Sequence, residues 1–181
     1  MFSKKKLSVV VAEYLGTFML AMAVLVVSNM FGSGTAAWYT SISAGAALML
    51  IIAKLGHVSG AHVNPAVTLG LWTLKKIETM DAVMYVVAQM LGGASALLFY
   101  NYATGDTLAA SGSAPFVWSV FWVEAAGAAV FGAGIVAAIS QKLEGLYGAF
   151  TIGASLTAGA LLASLASAGF LNPAVALGNN A

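Results

Sequence analysis

Two twelve-residue segments of the chain match at seven positions without a gap. Ser59 to Gly70 reads S-G-A-H-V-N-P-A-V-T-L-G, and Ser167 to Gly178 reads S-A-G-F-L-N-P-A-V-A-L-G. They sit in a chain poorly suited to water. Of its 181 residues 7% are charged, 61% are hydrophobic and a further 20 are Gly, and the mean hydropathy is +0.94. A soluble domain carries about a quarter of its residues as charges. The shortfall excludes a solvated globular surface, a disordered tail and a nucleic-acid binder, because a net charge of +1 offers phosphates little. Without cysteine there is no disulfide framework, thiol nucleophile or zinc knuckle. The class is one membrane domain.

Hydrocarbon about 30 Å thick needs about 20 apolar helical residues to cross it. Five stretches qualify: Leu7 to Ser28, Ala36 to Ala53, Ala82 to Tyr100, Phe116 to Ile139 and Leu146 to Ala168. Their only charges are Glu13 and Glu124. Small residues are dense in all of them, as expected where helices must approach closely in lipid. Lys4 to Lys6 with Ala21-Met22-Ala23 imitate a signal peptide. The apolar run is too long for one and contains Glu13, so the first stretch is expected to stay as a span.

The lysines set an orientation. With a cytoplasmic N-terminus, Lys4, Lys5, Lys6, Lys54, Lys75, Lys76 and Lys142 all fall on the inner side, and the outer loops carry only Asp106. The expected location is the cell (plasma or inner) membrane, multi-pass.

Three spans separate the two dodecapeptides, an odd number, so the copies face opposite sides of the membrane. That parity makes an inverted-topology repeat. A glutamate recurs two spans before each copy, in Ala12-Glu13-Tyr14-Leu15-Gly16 and in Val123-Glu124-Ala125-Ala126-Gly127. Each copy also reads as a helix start, with Asn64 or Asn172 as N-cap and Pro65 or Pro173 at the first helical position. The apolar run Ala66 to Leu74 is about half a bilayer long by helical rise, which suggests a re-entrant half-helix. Irregular backbone at that depth is tolerated only where it is buried in protein or lines a water-filled cavity. A lone Asn-Pro would mark nothing but a turn. Two inverted copies with matching flanks do not fit that blander account.

At these residues the chain resembles the major intrinsic protein family, the aquaporins and aquaglyceroporins. Gly56 to Thr68, G-H-V-S-G-A-H-V-N-P-A-V-T, is close to the family's signature, and the second Asn172-Pro173-Ala174, the Glu13 and Glu124 pair and the span order match as well. The resemblance implies an all-α membrane bundle of six spans plus two half-helices, with a pore in each protomer of a homotetramer. One channel domain covers 1–181, made of a first repeat at 1–107 and an incomplete second repeat at 116–181. Water and small neutral solutes would be the permeants. No cofactor, metal ligand or catalytic residue is implied.

The pore's physics follows from the half-helices. Two N-termini meeting at the midplane repel a cation and block a proton relay. Asn64 and Asn172 cap their helices and leave amide N–H donors for a passing oxygen. Asn64, Pro65, Ala66, Asn172, Pro173 and Ala174 are the expected pore residues. Glu13 and Glu124 are costly in hydrocarbon and are expected to serve as scaffold, accepting from backbone N–H groups before each half-helix. His62 is expected to donate to local carbonyls, and His57 to be packed and neutral.

Two departures from the family pattern stand out. The family's narrow filter usually has an Arg just after the second motif, together with an aromatic residue. Here the corresponding positions are Val175, Ala44, Ala160 and Gly169, and the chain has no Arg. A ring of small neutral residues is expected to be wide and weakly polar. The chain also stops at Ala181, eight residues after Pro173, so the sixth span expected from symmetry is missing and a truncated record is favoured. The alternatives are a truncated, non-conducting fragment and an inverted-repeat secondary transporter, the latter lacking a charged substrate site. No Ser/His/Asp arrangement, metal spacing or phosphate loop points to an enzyme.

Overall fold

Inside lipid, a backbone must satisfy its own N–H and C=O groups, and a long apolar run can do so as an α-helix. A computed structural model describes residues 4–31, 33–108 and 116–180, and these are mostly helical. The elements are α1 (Lys4–Met30), α2 (Ser33–Ser59), α3 (Pro65–Thr73), α4 (Thr79–Thr104), α5 (Trp118–Ser140), α6 (Gly145–Ala163) and α7 (Pro173–Gly178). Among the described residues, five helices (α1, α2, α4, α5 and α6) are long and apolar enough to cross a membrane. The short α3 and α7 begin at the two Asn-Pro-Ala motifs.

Two boundaries differ most from expectation. Lys54 does not end α2, which runs on to Ser59. Lys54 is exposed, so its charge leaves the packed side while the backbone stays helical. The chain leaves α6 at Ala163 rather than Ala168. There Ser164 Oγ donates to Ala160 O and Ser167 N to Ala163 O, taking up the last carbonyls as the helix gives way to a turn. His57 is exposed in the last turn of α2, not packed as expected.

Packing puts α1, α2, α6 and α5 side by side, with α4 against the other flank of α1. Glycines set the spacing. A Cβ on Gly45 would stand 2.5 Å from Gly153 O, and one on Gly153 2.6 Å from Gly45 O, so α2 and α6 touch backbone to backbone. Gly127 and Gly159 do the same for α5 and α6, each ideal Cβ 2.4 Å from the other's carbonyl oxygen. The half-helix α7 seats on α4 and α1, and α3 packs on α4 and touches α7. Leu20, Leu25, Leu48, Ile51, Phe131 and Leu156 are buried where the helices converge, whereas Leu7, Met19, Leu50, Val87 and Leu98 face outward. An apolar exterior around a core this small is suited to lipid. On the cytoplasmic side of the predicted topology, Lys6 Nζ lies 2.8 Å from Asp81 Oδ1 and ties α1 to α4.

Candidate functional site

The two motifs meet by exchanging hydrogen bonds. Asn64 Oδ1 accepts from Ala66 N at 2.9 Å, and Asn172 Oδ1 from Ala174 N at 3.0 Å, so both side chains cap their helices. Each amide then donates across the junction, Asn64 Nδ2 to Leu171 O at 2.9 Å and Asn172 Nδ2 to Val63 O at 2.8 Å. A primary amide has two N–H donors, so each Asn keeps one beyond this brace. Both are buried.

The carbonyls reached by the brace belong to strained residues. Val63 has φ 41° and Leu171 φ 52°, and two residues earlier Ala61 has φ 49° and Gly169 φ 66°. A β-branched residue such as Val63 seldom adopts positive φ, so something must hold it. Glu13 does. Its carboxylate, fully buried in α1, accepts from Val63 N at 2.7 Å, His62 N at 3.0 Å, Ser59 Oγ at 2.6 Å and Gln89 Nε2 at 2.7 Å. Glu124 holds the second segment more lightly, accepting from Ser167 Oγ and, at 3.4 Å, from Leu171 N.

Gln89 had no place in the sequence reading. It is fully buried on α4, and its amide also donates to Thr68 Oγ1 at 2.9 Å, linking Glu13 to α3. A lone amide within the uncharged stretch Ala82 to Tyr100 was the available signal. His62 Nδ1 pairs with Thr68 Oγ1 at 3.2 Å, not with a carbonyl as expected, and its ring lies 4.8 Å from that of Tyr85. Tyr85 donates to Ser59 O at 2.6 Å and so fastens the end of α2.

Two small cavities lie in the bundle. The first, about 20 Å³, is lined by both Asn side chains and by Leu20, Leu48, Phe131 and Val175 among others. The second, about 10 Å³, is lined by Thr40, Ser41, Ala160 and Gly169. Val24, Ala44, Leu156 and Phe170 border both. The four positions expected to form the filter divide between the two cavities: Ala44 touches both, Val175 the first, and Ala160 and Gly169 the second. The expected wide ring is not there. Each volume is near what a single water needs, because Phe170, Leu156 and Val24 fill the room left by the small residues. Phe170 lay outside the sequence reading; it occupies the place of His62 in the second dodecapeptide.

The remaining motif residues are placed unevenly. Pro65 is buried and Pro173 exposed. Ala174 is 0% exposed against α4, whereas Ala66 is exposed. Gly178 packs on Gly93 and Ala21, with an ideal Cβ 2.9 Å from Gly93 O, while Gly70, its counterpart in the first dodecapeptide, meets nothing within 4 Å. Beside Ala66 and Gly70 runs an apolar groove of about 520 Å³ between α3 and α5.

Five membrane-length helices around two short helices, each begun by an Asn that donates to the residue before the other's motif, define a class of helical membrane proteins. The family model described as Major intrinsic protein matches residues 1–181, and the chain belongs to that family. It is 34% identical to aquaporin AqpM of Methanothermobacter thermautotrophicus over 136 residues, covering 62% of this chain and 55% of that protein. Probable aquaporin NIP7-1 of Arabidopsis thaliana is 31% identical over 180 residues, covering 95% of this chain and 65% of that protein. The chain thus spans between half and two-thirds of the length of these relatives. The X-ray structure of the aquaglyceroporin from Plasmodium falciparum shares its fold, with a TM-score of 0.72 at 20% identity over 96% of this chain and 79% of that one.

Proposed function

We propose that the chain forms a passive channel for water, with the path running past Asn64 and Asn172. The observation carrying this reading is the pair of uncommitted amide donors beside a cavity of about 20 Å³ whose other side chains are mostly apolar. A water oxygen there accepts from two sides, which orients it against an unbroken proton wire. The apolar remainder keeps binding weak enough for release. The repeats 1–107 and 116–181 act as one channel domain, with Glu13, Glu124 and His62 as scaffold. Ala44, Ala160, Gly169 and Val175 form the constriction, narrow enough to favour water over larger neutral solutes. The N-terminus lies in the cytoplasm of a cell with this protein in its plasma or inner membrane, and four protomers associate, each with its own path. Stopped-flow osmotic shrinkage of proteoliposomes tests the reading. Non-saturating water flux above that of protein-free liposomes supports it, and flux that saturates with solute points to a carrier.

The groove between α3 and α5 favours a second reading, a non-conducting membrane protein. Its lining includes Asn64 and Phe131, which also line the central cavity, so the wall beside the path is thin on this side. If lipid enters there, the chain inserts without a sealed lumen. Shrinkage no faster than in empty liposomes, from protein that is folded and inserted, would favour this reading over the first.

A further inference from the structure

Thr40 carries an unexplained hydroxyl. Among the described residues, it is the one whose buried side-chain oxygen, Oγ1, has no hydrogen-bond partner. Leaving such a group unmet inside a protein is unfavourable by about 1–3 kcal/mol. A helical threonine normally donates back to a carbonyl three or four residues earlier. Its neighbours do so or reach across: Ser41 Oγ to Ala37 O at 2.7 Å, Ser43 Oγ to Ala23 O at 3.3 Å, Thr157 Oγ1 to Ser41 O at 3.2 Å and Ser164 Oγ to Ala160 O at 2.7 Å. Among the buried hydroxyls of the described residues Thr40 alone stays without a partner, and it lines the second cavity with Ala160, Gly169 and Phe170.

The other side chains there offer a permeant little. Val24, Ala44, Leu156, Ala160, Ala168 and Phe170 are apolar, Gly169 has no side chain, and the Ser41 hydroxyl has given its one donor to Ala37 O. Thr40, Ala44 and Leu48 recur at four-residue spacing on α2, so the hydroxyl stands at the head of the stripe that continues past the Asn pair. We propose that Thr40 is a water-binding residue of the path, its hydroxyl supplying the side-chain donor that meets water in the second cavity, beside the constriction residues Ala44, Ala160 and Gly169 and the Phe170 ring. Water entering a cavity of about 10 Å³ must shed its neighbours, and Thr40 Oγ1 replaces one of them. This rests on the channel reading above.

The test compares osmotic water permeability of the wild type, Thr40→Val and Thr40→Ser at equal reconstituted protein. Val keeps the shape and removes a buried unpaired hydroxyl, so folding is spared. Water permeability is expected to fall about fivefold in Thr40→Val, the loss of roughly one hydrogen bond, and to stay within about twofold of wild type in Thr40→Ser. The chain has no cysteine, so Thr40→Cys carries a single thiol, and a mass shift after exposure of the vesicles to Hg²⁺ reads whether that position meets water. Labelling is expected. Conducting wild type with an equally conducting Thr40→Val overturns the inference alone, as does a Thr40→Cys that Hg²⁺ cannot label. Wild type that passes no water overturns the channel reading and the inference together.

Discussion

Asn64 and Asn172 never hydrogen-bond each other, yet each holds the other's loop: the Asn64 amide lies 2.9 Å from Leu171 O, and the Asn172 amide 2.8 Å from Val63 O. One side chain thus closes its own helix N-terminus and clamps the residue before the opposite one. Asn64→Ala removes a cap worth about 1 kcal/mol and strands the Leu171 carbonyl at a further 1–3 kcal/mol. Combined loss of Asn64 and Asn172 should fall short of the sum of the single losses, because both act on one junction. Unfolding of the single and double alanine variants in detergent checks this; strict additivity would show two independent caps and no brace.

The glutamates are related by sequence but unequal in the structure. Glu13 is fully buried with four donors, and Glu124 has two, one of them long. Gln in place of Glu13 turns an amide NH₂ toward N–H groups that need an acceptor. The expected loss is on the order of 3 kcal/mol, with a smaller loss for Glu124→Gln. Folded yield by size-exclusion chromatography is the measurement. A Glu13→Gln protein that folds normally and conducts protons differently would instead make Glu13 part of a relay.

Glycine substitutions should separate the two half-helices. A Cβ on Gly93 would lie 2.0 Å from Ala174 O, a backbone atom that cannot swing aside. Gly93→Ala is therefore expected to unseat α7 at about 1–3 kcal/mol or more. Gly70 meets nothing within 4 Å, and in α3 its replacement by Ala should gain up to about 1 kcal/mol from helix propensity. Thermal unfolding of the two variants reads the contrast. Equal destabilisation would mean that the groove beside Gly70 is already filled in the membrane.

Legibility followed the range of the interaction. Span-length helices are written locally, as apolar length against sparse charge, and so are the starts of α3 and α7, as Asn followed by Pro. Glu13 and Glu124 stand out in the sequence because charge within an apolar run is rare. Gln89 is marked as a lone amide in its span but its partner is not, and only the packing of α4 on α1 brings it and Tyr85 to the Glu13 network. The size of the two cavities was not legible either. Ala44, Ala160 and Gly169 are small, but cavity size depends on what their neighbours put into the space. Phe170, Leu156 and Val24 arrive from a loop and two different helices.

Phe170 is therefore expected to set the width of the proposed path more than the small residues around it. It borders both cavities, so its removal should merge a space of about 20 Å³ with one of about 10 Å³ and add the volume of the lost ring. Phe170→Ala is expected to admit a solute of glycerol size that the wild type holds back, and to raise water permeability because two single-water sites become one continuous space. Part of the gain is offset by stability, since truncating a buried Phe costs about 3–5 kcal/mol and Phe170 is only half-buried. Phe170→Leu restores much of the bulk and should return solute exclusion toward the wild-type level. Paired water and glycerol flux on the same vesicles decides the matter. If the wild type already passes glycerol as readily as Phe170→Ala, the small residues set the width after all, and the ring at Ala44, Ala160, Gly169 and Val175 is wider in the membrane than its cavities here.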